Sequence, residues 1–349
     1  MARRKRGGGC GLVLLVLLGV GGAVAFYAFR APPIPDDPLA AVPASARALL
    51  RVDLPALRES PLFPLIAGPS GADEWAAGLE ARCGFDPLGM VDAALAFVTA
   101  EAPADVSPLD AGLGHVGFVL AGRFDHERLA TCLRSAVTQD GEDLEMISLA
   151  GYPAVAVGGS RAAFVGKHGI VLGDEELVVA ALRTLDGDAP SLRDEAPELG
   201  ALFDRVGRTP GGSPREVAAV AALPPRWRTA ADGPLGELAT LAELDPPPHA
   251  PEALALGARV SRGLALGLLL HFADAQDASR LRDAAVAAKD ATLGMPLVSM
   301  SPAGPALDAL EVEARGGDAS FAIDLDAARL AALLGAADLL GLDALQPGR

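Results

Sequence analysis

The sequence predicts an α+β protein: an N-terminal transmembrane helix followed by two tandem, similar domains of largely antiparallel sheet backed by helices. Three observations carry that reading. An uncharged apolar run occupies residues 10–29. Short apolar segments of strand length follow it, joined by glycine turns too tight for parallel crossovers. The order of strand-like and helix-like segments in 41–190 returns in 191–349, as an internal repeat would make it. The expected organisation is a basic cytoplasmic segment 1–9, an anchor 10–29, an extended linker 30–40, a first α+β repeat 41–190 and a second 191–349.

At about 1.5 Å per residue, a helix of about 20 residues crosses a hydrocarbon core of about 30 Å. Arg3, Arg4, Lys5 and Arg6 precede the run and Asp36 and Asp37 follow it, so the positive-inside rule keeps the N-terminus in the cytoplasm. The expected location is a bacterial inner membrane, crossed once, with the bulk of the chain periplasmic or otherwise extracytoplasmic. The alternative is a secretory signal cleaved at Ala25 behind Ala23-Val24-Ala25, but the apolar run continues through Phe26, Tyr27 and Phe29. Cys10 precedes the run, which is the wrong place for a lipidated cysteine.

Charge limits the partners. The chain has 29 Lys and Arg against 45 Asp and Glu; five of the basic residues and none of the acidic ones precede residue 31, which leaves 31–349 at −21. Such an ectodomain repels nucleic acid, so none is expected as a partner, and solubility is the plain reason for its acidity. Lysine stands only at Lys5, Lys167 and Lys289 amid abundant Arg, Ala, Gly and Pro, the signature of a GC-rich bacterial genome.

The elements follow in order. APPIPDDP (31–38) cannot be helical, because proline removes donors and fixes φ. RALLRVDL (47–54) reads as a strand, PALRESPLFPLIAG and DEWAAGLEARCG as helices, and AALAFVTAE (93–101) and HVGFVLAGRF (115–124) as strands. DHERLATCLRSAV is an amphipathic helix capped by Asp125. YPAVAVG, RAAFVGKHG and IVLG are short strands, and DEELVVAALRTL closes the first repeat as a helix. In the second, EVAAVAAL (216–223), ALALGARVSR (253–262) and GLALGLLLHF read as strands before the helical DASRLRDAAVAAK. LDALEVEARGGDASFAIDL is a hairpin turning at Gly316-Gly317, and DAARLAALLGAADLL is the last helix.

The anchor followed by VPASARALLRVDLPALRESPLFPLI (Val42 to Ile66) resembles exported, membrane-anchored bacterial proteins of unknown function with a duplicated α+β ectodomain. The resemblance implies location and architecture. It brings no catalytic motif with it.

The chemistry-bearing motifs give way to structural readings. GLGHVG (112–117) matches GxGxxG, but the strand that should precede the glycines follows them, so a glycine-rich turn is expected. GRTPGGSPRE (207–216) has phosphate-loop glycines without the lysine. His115, His126, His168, His249 and His271 are scattered, and no pair has ligand spacing on one helix. DGED (140–143) and DGD (186–188) read as turns, because neither continues into the spaced ligands of a calcium loop. No cofactor or metal is expected. Trp75 reads as core packing; Trp227, between Arg226 and Arg228, is the candidate partner contact, with local packing as its alternative. MPLVSMSP (295–302) lines an exposed groove or forms a buried crossover. With Cys10 in the anchor, Cys83 and Cys132 are the two thiols exposed to an oxidising compartment and are expected to bridge; two separately buried thiols are the alternative, since 191–349 contains no cysteine.

The expected function is that of a membrane-tethered, extracytoplasmic binding or scaffolding protein of the cell envelope, contacting the membrane through its N-terminal helix and partnered by an envelope protein, with no chemistry of its own. The alternative is an exported hydrolase whose site assembles only in three dimensions, with Asp125, His126 and Asp53 as its first candidates.

Overall fold

The computed structural model describes residues 38–60, 63, 72–99, 116–125, 128–129, 132, 144–208, 215–223, 250–261, 263–301, 303–330 and 332. They divide into two compact units, one within Met1–Pro55 and Ser70–Gly200, the other within Ala56–Pro69 and Ala201–Arg349.

The first unit contains strands β1 (Ala46–Asp53), β2 (Val91–Thr99), β3 (Val116–Gly122), β4 (Leu144–Leu149), β5 (Tyr152–Val157), β6 (Ser160–Val165) and β7 (Gly169–Asp174). Their order is β1-β2-β3-β7-β6-β5-β4, antiparallel throughout. Tight turns dictate this. Between β4 and β5 stand Ala150 and Gly151 at φ 49° and 84°, the paired positive φ of a two-residue hairpin that matches strand twist. Helix α1 (Leu54–Arg58) follows β1, and α2 (Ala72–Cys83) precedes β2. Along β5, β6 and β7 both faces are buried, which is why their sequences are apolar runs with little alternation. One face packs Leu120, Val155, Phe164, Ile170 and Leu172 with Leu129 and Cys132. Helix α3 (Glu175–Leu185) packs on β3, β6 and β7 and buries Leu177, Val178, Ala181 and Leu182, one stripe at helical spacing. Glu175 and Glu176 in its first turn and Arg183 in its last suit the helix dipole. Helix α4 (Leu192–Glu195) opens on a capping box of Ser191 with Asp194; α5 (Pro197–Val206) follows, and from Ala201 onward it belongs to the second unit.

The second unit is a sheet of β8 (Val217–Ala222), β9 (Ala253–Arg259), β10 (Gly263–His271), β11 (Glu311–Arg315) and β12 (Asp318–Asp326) in the order β8-β9-β10-β12-β11. Every pair is antiparallel. Helix α6 (Ala275–Leu293) is capped by Asp274, whose Oδ1 accepts the Gln276 N–H at 2.8 Å. Ala278 and Leu281 of α6 close one sheet face with Leu254, Leu268, Leu270, Ala319 and Phe321. Short helices α7 (Pro296–Ser299) and α8 (Ala303–Asp308) follow. Lys289 on α6 ties the end of α8 down by donating to the carbonyls of Asp308 at 2.9 Å and Leu310 at 2.6 Å. The β11–β12 hairpin turns at Gly316, at φ 58°.

The architecture is thus α+β with large antiparallel sheet and helices, as expected from the sequence. The location is corrected. Among the described residues no helix is long and apolar enough to cross a membrane, which conflicts with a single-pass inner-membrane protein. The longest of them, α6, has the length but carries Arg280, Arg282, Asp283 and Lys289. The run 10–29 and the linker to residue 37 lie outside the described residues. Strand β4 and helices α4 and α5 had no counterpart in the sequence reading: LEMISL exposes Glu145, Met146 and Ser148 in no regular alternation, and Pro197 cuts one helical stretch into two short ones.

Candidate functional site

Antiparallel register puts directly opposed residues on one face. On the second unit's sheet, the face opposite α6 therefore carries Gly257 and Arg259 of β9, Gly267 and His271 of β10, and Asp318 and Asp324 of β12. Most of the described unit's paired charges stand here. His271 and Asp318 are direct cross-strand partners, and Nδ1 of His271 is 2.7 Å from Oδ1 of Asp318. Arg205, on the last turn of α5, donates from Nη1 to the other oxygen, Oδ2. Three elements far apart in sequence thus converge on one carboxylate, whose side chain is 14% exposed.

Burial works to raise the Asp318 pKa, but hydrogen bonds and charge from Arg205 and His271 prevail and hold the carboxyl below its ordinary 3.8. Folded Asp318 therefore binds its proton more weakly than unfolded Asp318. Its contribution to stability is complete above the unfolded pKa of about 4 and is lost as pH falls through the lower folded value. In an acid titration of unfolding free energy, Asp318→Asn should flatten the decline below about pH 4. Equal slopes for variant and wild type would mean that Arg205 and His271 do not act on this carboxyl.

A second group lies on the same face. Arg259 Nη2 contacts Asp324 at 3.1 and 3.4 Å, while Arg215 donates from Nη1 to the Val206 carbonyl at 3.1 Å, at the end of α5. Burial draws the Arg215 guanidinium below its ordinary pKa; Arg259 pulls the same way and Asp324 opposes. Nearby, Glu216 accepts from the Val260 N–H at 2.8 Å and the Ser261 hydroxyl at 2.6 Å, fixing the loop that leaves β9.

In the first unit, an open depression of about 450 Å³ is lined by Thr184, Asp188, Ser191, Arg193 and Asp194. Two of its polar groups engage each other: the Ser191 hydroxyl donates to Asp194 at 2.6 Å, and with the Ser191 N–H it holds that carboxyl below the usual range. Tyr152, 6% exposed, donates its hydroxyl to Asp186, and burial followed by that contact pushes the phenol well above its usual range.

The residues singled out from sequence fare differently. Cys83 at the end of α2 and Cys132 are joined in a disulfide, Cα atoms 4.7 Å apart, against the first unit's core. Trp227, Arg226, Arg228 and His126 lie outside the described residues. Asp125 is exposed and accepts the Arg128 N–H at 3.2 Å, and Asp53 lies in β1. Gly117 of GLGHVG sits inside β3. Within MPLVSMSP, Pro296–Ser299 form a short helix, and Met295 and Met300 are exposed by 55% and 87%, so the segment is not a buried crossover. Among the described residues no group of three His, Cys, Asp or Glu could hold a metal ion. The Arg205–Asp318–His271 convergence was missed because pairing across a sheet leaves no local spacing to read.

No protein-family model matches the chain, and no curated protein does. Solved structures of TP0453 are weakly similar: crystal form I at 14% identity and TM-score 0.45, covering 86% of this chain and 97% of that one, and crystal form III at 14% and 0.44, covering 86% and 99%. At that distance the likeness brings no activity or partner to this chain.

Proposed function

We propose that this protein is a binding or scaffolding protein that presents a rigid, charge-patterned sheet face to a protein partner and performs no chemistry of its own. The observation that supports this best is the sharing of Asp318 between His271 and Arg205. A carboxylate that tunes a catalytic imidazole strengthens it as a base, and a guanidinium on the same carboxylate withdraws that help. What is left is a cross-strand clamp that holds α5, β10 and β12 in place at the surface. The second reading, a hydrolase, draws on the same 2.7 Å His271–Asp318 pair, since Asp318 can orient the imidazole. The disulfide suits work under oxidising conditions.

The two units also support descent from one repeated plan, with copies over 41–190 and 191–349. In each, three strands form a meander, and the last strand returns beside the third: β7 beside β3, β12 beside β10. The first copy then carries one hairpin more than the second.

Proximity labelling by the full chain in its native cell, together with turnover assays on chromogenic esters and phosphoesters, tests the function. A reproducible set of labelled protein neighbours with no turnover is the expected result. Turnover that His271→Ala abolishes would replace the binding reading with the hydrolase.

A further inference from the structure

We propose that the β9–β10 face of the second unit holds an oxyanion of the phosphate class between Arg215 and Arg259. Gly257 and Gly267 are registered partners on adjacent strands. A Cβ added at Gly257 would stand 2.0 Å from the Val206 carbonyl oxygen and 2.6 Å from Arg215 Nη1; one added at Gly267 would meet Nη1 at 2.5 Å and Nη2 at 3.1 Å. Any other residue at either position would displace the guanidinium, so the glycine pair makes the hollow that lets it lie against the sheet backbone.

The guanidinium brings more donors to this hollow than the described residues engage. Nη1 is bonded to the Val206 carbonyl, while Nε is buried with no acceptor among them. A guanidinium carries five N–H donors and no acceptor, and leaving donors unsatisfied out of water is costly. Neighbouring charge does not close the balance. Arg259 has the same sign, and the compensating carboxylate, Asp324, already takes Arg259 on both oxygens. The other carboxylate nearby, Glu216, is taken up by the Val260 N–H and the Ser261 hydroxyl.

Small residues line the sheet between them. Ala265 pairs with Arg259 on one side and Asp324 on the other, and Ala322 pairs with Gly267. Methyl groups and glycine therefore floor the space between the two arginines, and a multivalent oxyanion can accept from both at once, the geometry that guanidinium forks favour. The inference rests on the binding reading in taking this face as the working surface, and goes beyond it in naming a ligand chemistry.

The test titrates the full chain with sodium phosphate against sodium chloride at equal ionic strength, reading thermal stabilisation and calorimetric Kd, with glycerol 3-phosphate as a second arm. Phosphate should stabilise the wild type beyond chloride. Arg215→Met and Arg259→Gln should each weaken it about tenfold or more, the scale of a lost charge-assisted hydrogen bond. Asp324→Asn should tighten it by removing the competing carboxylate; that side chain is 70% exposed, so the variant leaves the fold intact. Glycerol 3-phosphate binding tighter than inorganic phosphate would assign the site to a phosphate ester, and weaker binding to the free ion. Wild-type phosphate behaving like chloride overturns the proposal, as does undiminished binding in Arg215→Met; should that variant fail to fold, unchanged binding in Arg259→Gln and Asp324→Asn does the same. Labelled protein neighbours that persist when phosphate binding fails would remove the anion alone and leave the binding function standing.

Discussion

Denatured without reductant, the protein should take up alkylating label at Cys10 alone, and with reductant at all three cysteines. Replacing both Cys83 and Cys132 by alanine should lower the stability of the first unit by about 4 kcal/mol. The sequence separation is 49 residues, and a crosslink over such a span removes that much chain entropy from the unfolded state. The location of the two sulfurs makes the loss specific. Cys132 is 3% exposed and packs with Leu129, Phe164 and Leu172, while Cys83 ends α2. Opening the bridge frees α2 from the core as well as relaxing the unfolded chain. The second unit, which has no cysteine, provides the control, and its unfolding transition should not move. Label at positions 83 and 132 without reductant would show that no bridge exists; a loss below about 1 kcal/mol would show that α2 is docked by packing alone.

Much of the fold was legible because its signals are local. β2, β3, β5, β6 and β7 are largely apolar runs bounded by glycine, proline or charge, and α3 carries its buried stripe at helical spacing. The β11–β12 hairpin announced itself through Gly316-Gly317. β4 was hidden because its alternation is broken and β5, its partner, supplies the pairing that holds it. The polar site was illegible for a related reason. His271 and Asp318 stand 47 residues apart, Arg205 and Asp318 stand 113 apart, and only the register of β10 on β12 makes them neighbours. Knowing the strands without the register leaves a one-residue slip open, and that slip would turn His271 to the α6 face.

The largest single-residue effect is expected at Phe97, whose ring is fully buried on β2 and faces Gly117 directly across the β2–β3 pair. Phe97→Ala should cost about 3–5 kcal/mol, the transfer energy of the ring plus the cavity it leaves. Gly117→Ala should cost about 1–3 kcal/mol by the opposite route. Its Cβ would stand 2.2 Å from Cζ and 2.6 and 2.7 Å from the two Cε atoms, and a ring packed on every side cannot step back. The two changes share one volume, so they should not add. With the ring gone, the methyl group introduced by Gly117→Ala enters the space it vacated, and the double variant should lose less than the two single losses together by about 1 kcal/mol or more. Strict additivity in chemical denaturation would mean that the ring does not lie on Gly117. The expected coupling also assigns a reason to the last glycine of GLGHVG, which on sequence alone matched a pyrophosphate-binding loop. Its missing side chain makes room for an aromatic ring from the neighbouring strand, and that ring in turn covers backbone a glycine would leave bare.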